Sequence, residues 1–403
     1  MPSRGATLRN YVIVTGSTLL GGLLNALLIS LAARRGEIAE IAAYTVTTAV
    51  LAIIGVVAGG GSGVLYLSGT EDERRAVRSQ KALVVIPALV VAALAISVFY
   101  GTHGYPVLAL AAAALVFIGN NIAELPLAQL YRDMRFLRIA VVPYLSKAGA
   151  IIAFTCGAPL TMALLMGAVV NLVSLELLAG LNSALRAVRN DRPTIGAARR
   201  AFRSGGALYV YTVSELYALK VPSIGLSFFF SVPVMGAFGA VAAAYQALLQ
   251  VFQSGLLMLV SLRARRRLTI ETSKAYGHDA ELISLGCGIL GAAVVVVVAP
   301  WLTSHVLQLN LSQSSIWLQI LGLAIPIVLF NRIIATNAIG DARYSAAARI
   351  AVLLAVLTTV LLTIAIPLLG VTGGVLATLC AEGAVAGILL GRRLPSAISR
   401  YAA

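Results

Sequence analysis

The chain has 403 residues, of which 60% are hydrophobic and only 11% charged, and its mean hydropathy is +0.94. A soluble domain carries about 25% charged residues, so soluble globular and disordered classes are excluded and a polytopic membrane protein is expected. The formal net charge of +15 points to nucleic acid or to anionic lipid, and the placement of the charges decides between them.

A transmembrane helix needs about 20 predominantly apolar residues. Twelve runs qualify: 11–33, 41–67, 82–101, 105–128, 138–157, 160–184, 206–230, 233–262, 280–304, 314–336, 345–369 and 372–391. They are apolar nearly all round, whereas barrel strands would alternate over segments of about 10 residues. The first run is long enough to span and is flanked by Arg4 and Arg9, so no cleavable signal is expected. The expected fold is an all-α polytopic membrane protein with twelve transmembrane helices in two pseudo-symmetric six-helix lobes.

Basic residues orient these runs. Almost all of the 30 Lys and Arg fall in the termini and the even-numbered connections. The exceptions are Arg34 and Arg35 on the other side, and Lys147, Lys220 and Arg332 within helices. By the positive-inside rule both termini are cytoplasmic. This spread of anchors, without a patch of interleaved aromatics, also excludes nucleic acid as a partner. Cys156, Cys287 and Cys380 lie in apolar runs, and His103, His278 and His305 near helix ends. None has metal-ligand spacing, so neither metal nor other cofactor is expected.

The longest basic connection, "RAVRNDRPTIGAARRAFR" (186–203), divides the chain into six helices and six. The expected domains are an amino-terminal lobe (1–185), a cytoplasmic connecting loop (186–205) and a carboxy-terminal lobe (206–403). The halves also share a motif. "RDMRF" at 132–136 and "GDARY" at 340–344 align at a shift of 208, from Asp133 to Asp341 and from Arg135 to Arg343. Both follow the fourth helix of their half and read as one cytoplasmic hinge in two copies. Tandem repeats of this kind are related by an axis along the membrane normal, which puts equivalent residues at equal depth.

Seven ionisable residues lie inside expected spans: Glu124, Lys147, Glu176, Glu215, Lys220, Arg332 and Glu382. Each is costly in hydrocarbon and should face a partner or a wet cavity. Glu124 lies nine residues before Asp133, or about 13 Å at 1.5 Å per residue, close to the midplane. The shift of 208 carries Glu124 onto Arg332. That places an acid and a base at symmetry-related positions, either as a structural ion pair or as part of a charged cavity between the lobes. The lysines are Lys81, Lys147, Lys220 and Lys274, so half of them are intramembrane. Lysine changes its protonation readily when buried and arginine does not. Lys147, Lys220 and Arg332 are therefore the candidate substrate-binding residues, and Glu124, Glu215 and Glu382 the candidate coupling or ion-pair residues. Glu215 and Lys220, five apart, do not share a helix face. Glu176 reads equally as a packing residue with a polar partner. Pro126, Pro143, Pro222 and Pro326 fall near these charges, and bent helices there suit a bundle that rocks between two states. The "GGGSG" glycines at 59–63 read as close helix packing.

Three stretches carry a family resemblance: "RNYVIVTGSTLLGGLLNALLISLAAR" from Arg9, "VMGAFGAVAAAYQALLQ" (234–250) and "IATNAIGDARYSAAARI" (334–350). With the twelve-helix, two-lobe map, the chain resembles the MATE-like superfamily. Within it, the chain is most similar to the polysaccharide-transport, or O-antigen flippase, branch. The resemblance implies a flippase of the bacterial cytoplasmic membrane. It would move an undecaprenyl-pyrophosphate-linked glycan between leaflets by alternating access, coupled to H⁺ or Na⁺ and working beside a polysaccharide polymerase or glycosyltransferases. The first helix carries no charge between Arg9 and Arg34, where lipid II flippases of the superfamily have basic residues; this departs from that branch. The alternative within transporters is a coupled small-molecule (multidrug) antiporter. The major facilitator pattern fits less well, because the second connection, "SGTEDERRAVRSQK", lacks its glycine spacing. A membrane-embedded transferase would need large outer loops, and those here are short ("GTHGYP", "CGAPL"); no enzyme activity is expected.

Overall fold

The computed structural model describes residues 20–59, 71–132, 136–266, 270–309, 311, 313–340 and 343–401. Arg4, Arg9, the glycines of "GGGSG" beyond Gly59, Asp133, Arg135, Arg267 and Asp341 lie outside the described residues. Within them the chain is all helical. The helices are α1 (Leu20–Arg34), α2 (Ile38–Gly59), α3 (Glu71–Gln80), α4 (Ile86–Thr102), α5 (Val107–Arg132), α6 (Phe136–Thr155) and α7 (Leu160–Ala179). There follow α8 (Leu181–Asn190), α9 (Ile195–Phe229), α10 (Val232–Arg266), α11 (Ile270–Trp301), α12 (Ser314–Gly340) and α13 (Tyr344–Tyr401). Short π-helical turns, Lys81–Val85 and Leu302–Val306, join α3 to α4 and extend α11. Among the described residues, eight helices are long and apolar enough to cross a membrane, and the chain is a multi-pass membrane protein.

Local chemistry sets the helix ends. Gly180, at φ 65°, closes α7 in the left-handed conformation that glycine adopts without strain. The Thr194 hydroxyl accepts from the Ala197 N–H at 3.2 Å and opens α9. The two last expected spans, 345–369 and 372–391, form one long α13 that breaks at Gly370 (φ 63°, ψ −141°). In α9 the break is at Gly206 (φ 41°, ψ −123°) rather than at Pro222, which the helix accommodates. The segment 186–205, expected as a loop, is largely helical: α8 ends at Asn190, and α9 starts at Ile195. Its basic and apolar residues alternate with a helical period, and such a segment can lie along a membrane surface.

The amino-terminal helices pack among themselves through α6–α7, α5–α7, α2–α5 and α4–α5, and the carboxy-terminal ones through α9–α13, α11–α12, α12–α13 and α10–α12. The two groups meet where α2 lies against α9 and α10, and where α3 lies against α9. The α2–α10 approach is very close. A β-carbon on Gly236 would overlap the Ile38 carbonyl, and one on Gly239 would overlap the Thr45 hydroxyl. Small residues allow this approach where no hydrophobic force separates protein from lipid.

Candidate functional site

Among the described residues, besides the Lys81–Glu124 pair, three groups of charged side chains lie within the bundle, and the helical repeat decides which of them share a face. The first is a cleft among the carboxy-terminal helices, lined by Glu215 of α9, Tyr245 of α10, Arg332 of α12, and Thr358, Thr378 and Glu382 of α13. The Arg332 Nε lies 3.4 Å from Glu215 Oε1. Glu382 is 8% exposed and accepts from Asn331 Nδ2 at 2.7 Å, while the same nitrogen donates to the Glu382 backbone carbonyl at 2.9 Å. The Asn331 Oδ1 is buried without a hydrogen-bond partner among the described residues. Two carboxylates share one guanidinium, so the cleft carries one surplus formal negative charge. Its volume of about 20 Å³ holds about one water. A sugar cannot enter in this state, but a proton or a small ion can be exchanged there.

The second group lies on the seam between the two sets of helices. The Lys220 Nζ of α9 donates to Gln246 Oε1 of α10 at 3.2 Å. Lys220 and Gln246 each follow a residue that lines the cleft, Leu219 and Tyr245, and so are turned about 100° away from it. Gln246 is seven residues beyond Gly239, two turns along the stripe of α10 that meets α2. The Lys220–Gln246 pair therefore faces the amino-terminal helices. From the other side, the Lys147 Nζ of α6 donates to Asn25 Oδ1 of α1 at 2.8 Å. Asn25 is seven residues before Ala32, which belongs to the apolar cluster of Leu28, Ile29, Ile41 and Phe154 that also takes in Ala240 of α10. Both ammonium groups thus lie about one to two turns from one apolar plug. Both are held by neutral amides, so neither charge is cancelled by a carboxylate among the described residues.

The third group closes the opposite end of the seam. Arg78 of α3 pairs with Asp191, at the end of α8, and with Glu71 at 2.8 Å. Ala76 and Val77 of α3 pack on Ala201 of α9. The Tyr209 hydroxyl donates to the Val57 carbonyl of α2 at 2.9 Å. At the plug end, Arg34 donates to the carbonyls of Val306 (2.8 Å) and His305 (2.9 Å) across the seam. Beside it Glu37 accepts from the Leu160 N–H at 2.5 Å. Burial pushes the Glu37 carboxyl above its ordinary value, and this hydrogen bond acts the other way. Contacts close the seam at both ends.

These placements revise the pairing inferred from the repeat. Glu124 does not meet Arg332. It pairs with Lys81 of the π-helical turn, where Lys81 is 7% exposed and Glu124 is 54% exposed. Lys81, read as a solvated anchor, is buried. The 208-residue shift aligns the two in sequence, but the partner of each depends on the helices packed beside it. Glu176 accepts from the Asn182 N–H at 2.7 Å and fastens the turn between α7 and α8. Glu215 and Lys220 form no pair, in line with their spacing. Sequence reasoning missed the amides Asn25, Gln246 and Asn331. Amides within apolar runs were the available signal, since they too need partners in a membrane.

No protein-family model matches the sequence, and no curated protein matches it. The fold, however, has clear relatives among solved structures. The lipid II flippase MurJ in an inward closed conformation aligns with a TM-score of 0.71 at 15% identity, over 94% of this chain and 87% of that chain. A multidrug resistance MATE family transporter of the MOP superfamily aligns in its outward-facing conformation at 0.62, with 14% identity and 98% of both chains. An inward-facing MATE family transporter of the same superfamily aligns at 0.57, with 13% identity, over 98% of this chain and 96% of that chain. At such identities the likeness is one of fold. The MATE-like resemblance read from the sequence holds at that level, and the relatives are transporters and flippases.

Proposed function

We propose that the chain is a flippase that carries a lipid-linked oligosaccharide, a polysaccharide precursor, across a bacterial cytoplasmic membrane by alternating access. In this reading, twelve spans form two six-helix lobes, both termini are cytoplasmic, and Arg34 marks the outer face. The observation that carries the reading is the separation of charge. Lys147 and Lys220 face the seam with neutral partners, while Glu215, Arg332 and Glu382 are gathered in a cleft behind it. A positive seam suits a pyrophosphate head group, and the lipid tail stays in the bilayer beside it.

Mechanistically, the two ammonium groups attract the head group when the cytoplasmic contacts of α3, α8 and α9 part. Neutralising both amines against the anion removes the charge that keeps the seam wet. The lobes then close on that side and part at the α2–α10 contact, where Arg34 releases its carbonyls. Arg332, expected in the binding set, is better assigned to coupling, because Glu215 holds it away from the seam. Binding of H⁺ or Na⁺ at the surplus negative charge of the cleft changes how α9, α12 and α13 pack, and so biases the rocking. The same surplus charge favours a second reading, a cation-coupled antiporter for small molecules, in which the cleft acts alike but the cargo differs.

The test is transport of a fluorescent undecaprenyl-pyrophosphate-linked oligosaccharide in proteoliposomes. Lys220→Gln and Lys147→Gln should each reduce delivery, and the double variant should abolish it with the fold intact. Undiminished transport by the double variant would remove the amines from the mechanism. Export of a cationic dye, with no glycolipid movement, would favour the antiporter.

A further inference from the structure

The lipid-facing side of the α9–α13 contact carries a groove of about 360 Å³, unrelated to the charged cleft. Val210 of α9 and Ala348, Val352, Leu353 and Val356 of α13 wall it, and Arg349 stands at one end. On α13 the cleft takes Leu354 and Thr358, which the helical repeat turns to the opposite side from Val352 and Val356. Val210, Val352 and Val356 are 40%, 38% and 53% exposed, so the groove opens sideways, into hydrocarbon once the chain is in a bilayer. β-Branched walls lose little rotamer freedom on contact, which makes the groove a stiff apolar surface.

Arg349 gives the groove a polar end. Its side chain is exposed. Its Nε donates to the Ser345 carbonyl at 3.3 Å, and its two terminal nitrogens meet no partner among the described residues. A guanidinium presents a planar fork that fits phosphate oxygens. Arg349 and Val356 are seven residues apart, about 10 Å along the helix, within the roughly 15 Å of one leaflet. The length therefore matches part of one acyl chain that stays in the leaflet of its head group, and not a carrier lipid that changes leaflets.

We infer that this groove binds one acyl chain of an anionic phospholipid whose phosphate rests on Arg349. The bound lipid bridges α9 and α13, the helices that bring Glu215 and Thr358 to the cleft, and braces their contact from the membrane side. This inference does not depend on the identity of the cargo.

The experiment uses the full chain purified in detergent, with native mass spectrometry and thermal unfolding. The probes are phosphatidylglycerol, phosphatidylcholine and undecaprenyl phosphate. Phosphatidylglycerol should bind and raise the unfolding temperature more than the other two. Arg349→Gln should weaken its binding about fivefold, the effect of one interfacial basic residue. Arg349→Lys should keep most of the binding, and Val352→Trp should block the groove. Wild-type binding by both Arg349→Gln and Val352→Trp overturns the inference. So does equal binding of phosphatidylcholine, or displacement of phosphatidylglycerol by an equal concentration of undecaprenyl phosphate. Arg349→Gln alters only an exposed side chain and keeps the test decisive if Val352→Trp does not fold.

Discussion

Glu124 and Arg332 align at the 208-residue shift in sequence, yet they meet different fates. Glu124 is half exposed and pairs with a buried lysine at a π-helical turn. Arg332 lies in a closed cleft, beside Glu215 and facing Glu382. Each draws its counter-charge from a different neighbour. The amino-terminal pair fastens the α3–α4 elbow. The carboxy-terminal trio has a surplus formal charge and, among the described residues, an unpartnered amide oxygen, Asn331 Oδ1.

Breaking the two pairs should show this difference most sharply. Arg332→Met leaves the buried Glu382 and the part-buried Glu215 without a counter-charge and should cost about 3–5 kcal/mol, the usual penalty for breaking a buried pair from one side. Glu124→Ala leaves the buried Lys81 ammonium without its counter-charge and should cost about 1–3 kcal/mol, less than Arg332→Met because water reaches the half-exposed Glu124 end of the pair. Thermal unfolding in detergent measures both, and equal losses would erase the distinction. Adding Glu215→Gln to Arg332→Met should recover part of the loss, and a double-mutant cycle reads that coupling.

Next in size is the seam. Gly236→Val should force α2 and α10 apart where they now touch, and should raise the accessibility of cysteines placed on that contact. Unchanged labelling would show that the contact is not the gate. Arg34→Ala removes two hydrogen bonds to the 305–306 carbonyls and should loosen the same end by about 1 kcal/mol, seen as faster labelling without loss of fold.

The smallest effect expected is at Glu37. Its carboxyl is raised by burial, so the folded chain holds that proton more tightly than the unfolded one. The resulting stabilisation is fully present below the ordinary carboxylate range near 4.5 and is lost as pH rises through the higher folded value. Glu37→Gln should flatten the stability–pH curve in that interval alone. A curve that keeps its slope there would assign it to another group.

Much of this was legible in the residues. Hydropathy and length place the helices, because a helix in lipid must satisfy its backbone internally and cover about 30 Å. The scarcity of intramembrane charge singled out Lys147, Lys220, Glu215, Arg332 and Glu382 without any knowledge of their neighbours. The partners were not legible. A pattern along one helix does not say which other helix packs against it, and so Glu124 was matched to Arg332 when Lys81 was its partner. The amides that hold the lysines were hidden for the same reason, as polar residues among many in apolar runs. The sequence by itself determined an all-helical membrane chain, its expected orientation and the short roster of costly charges, since each follows from the price of polar groups in hydrocarbon. The tertiary structure alone decided that the acids and Arg332 share one cleft, that the two lysines face the seam with neutral amides, and that Arg349 heads a groove. Those are matters of which faces meet across helices far apart in sequence.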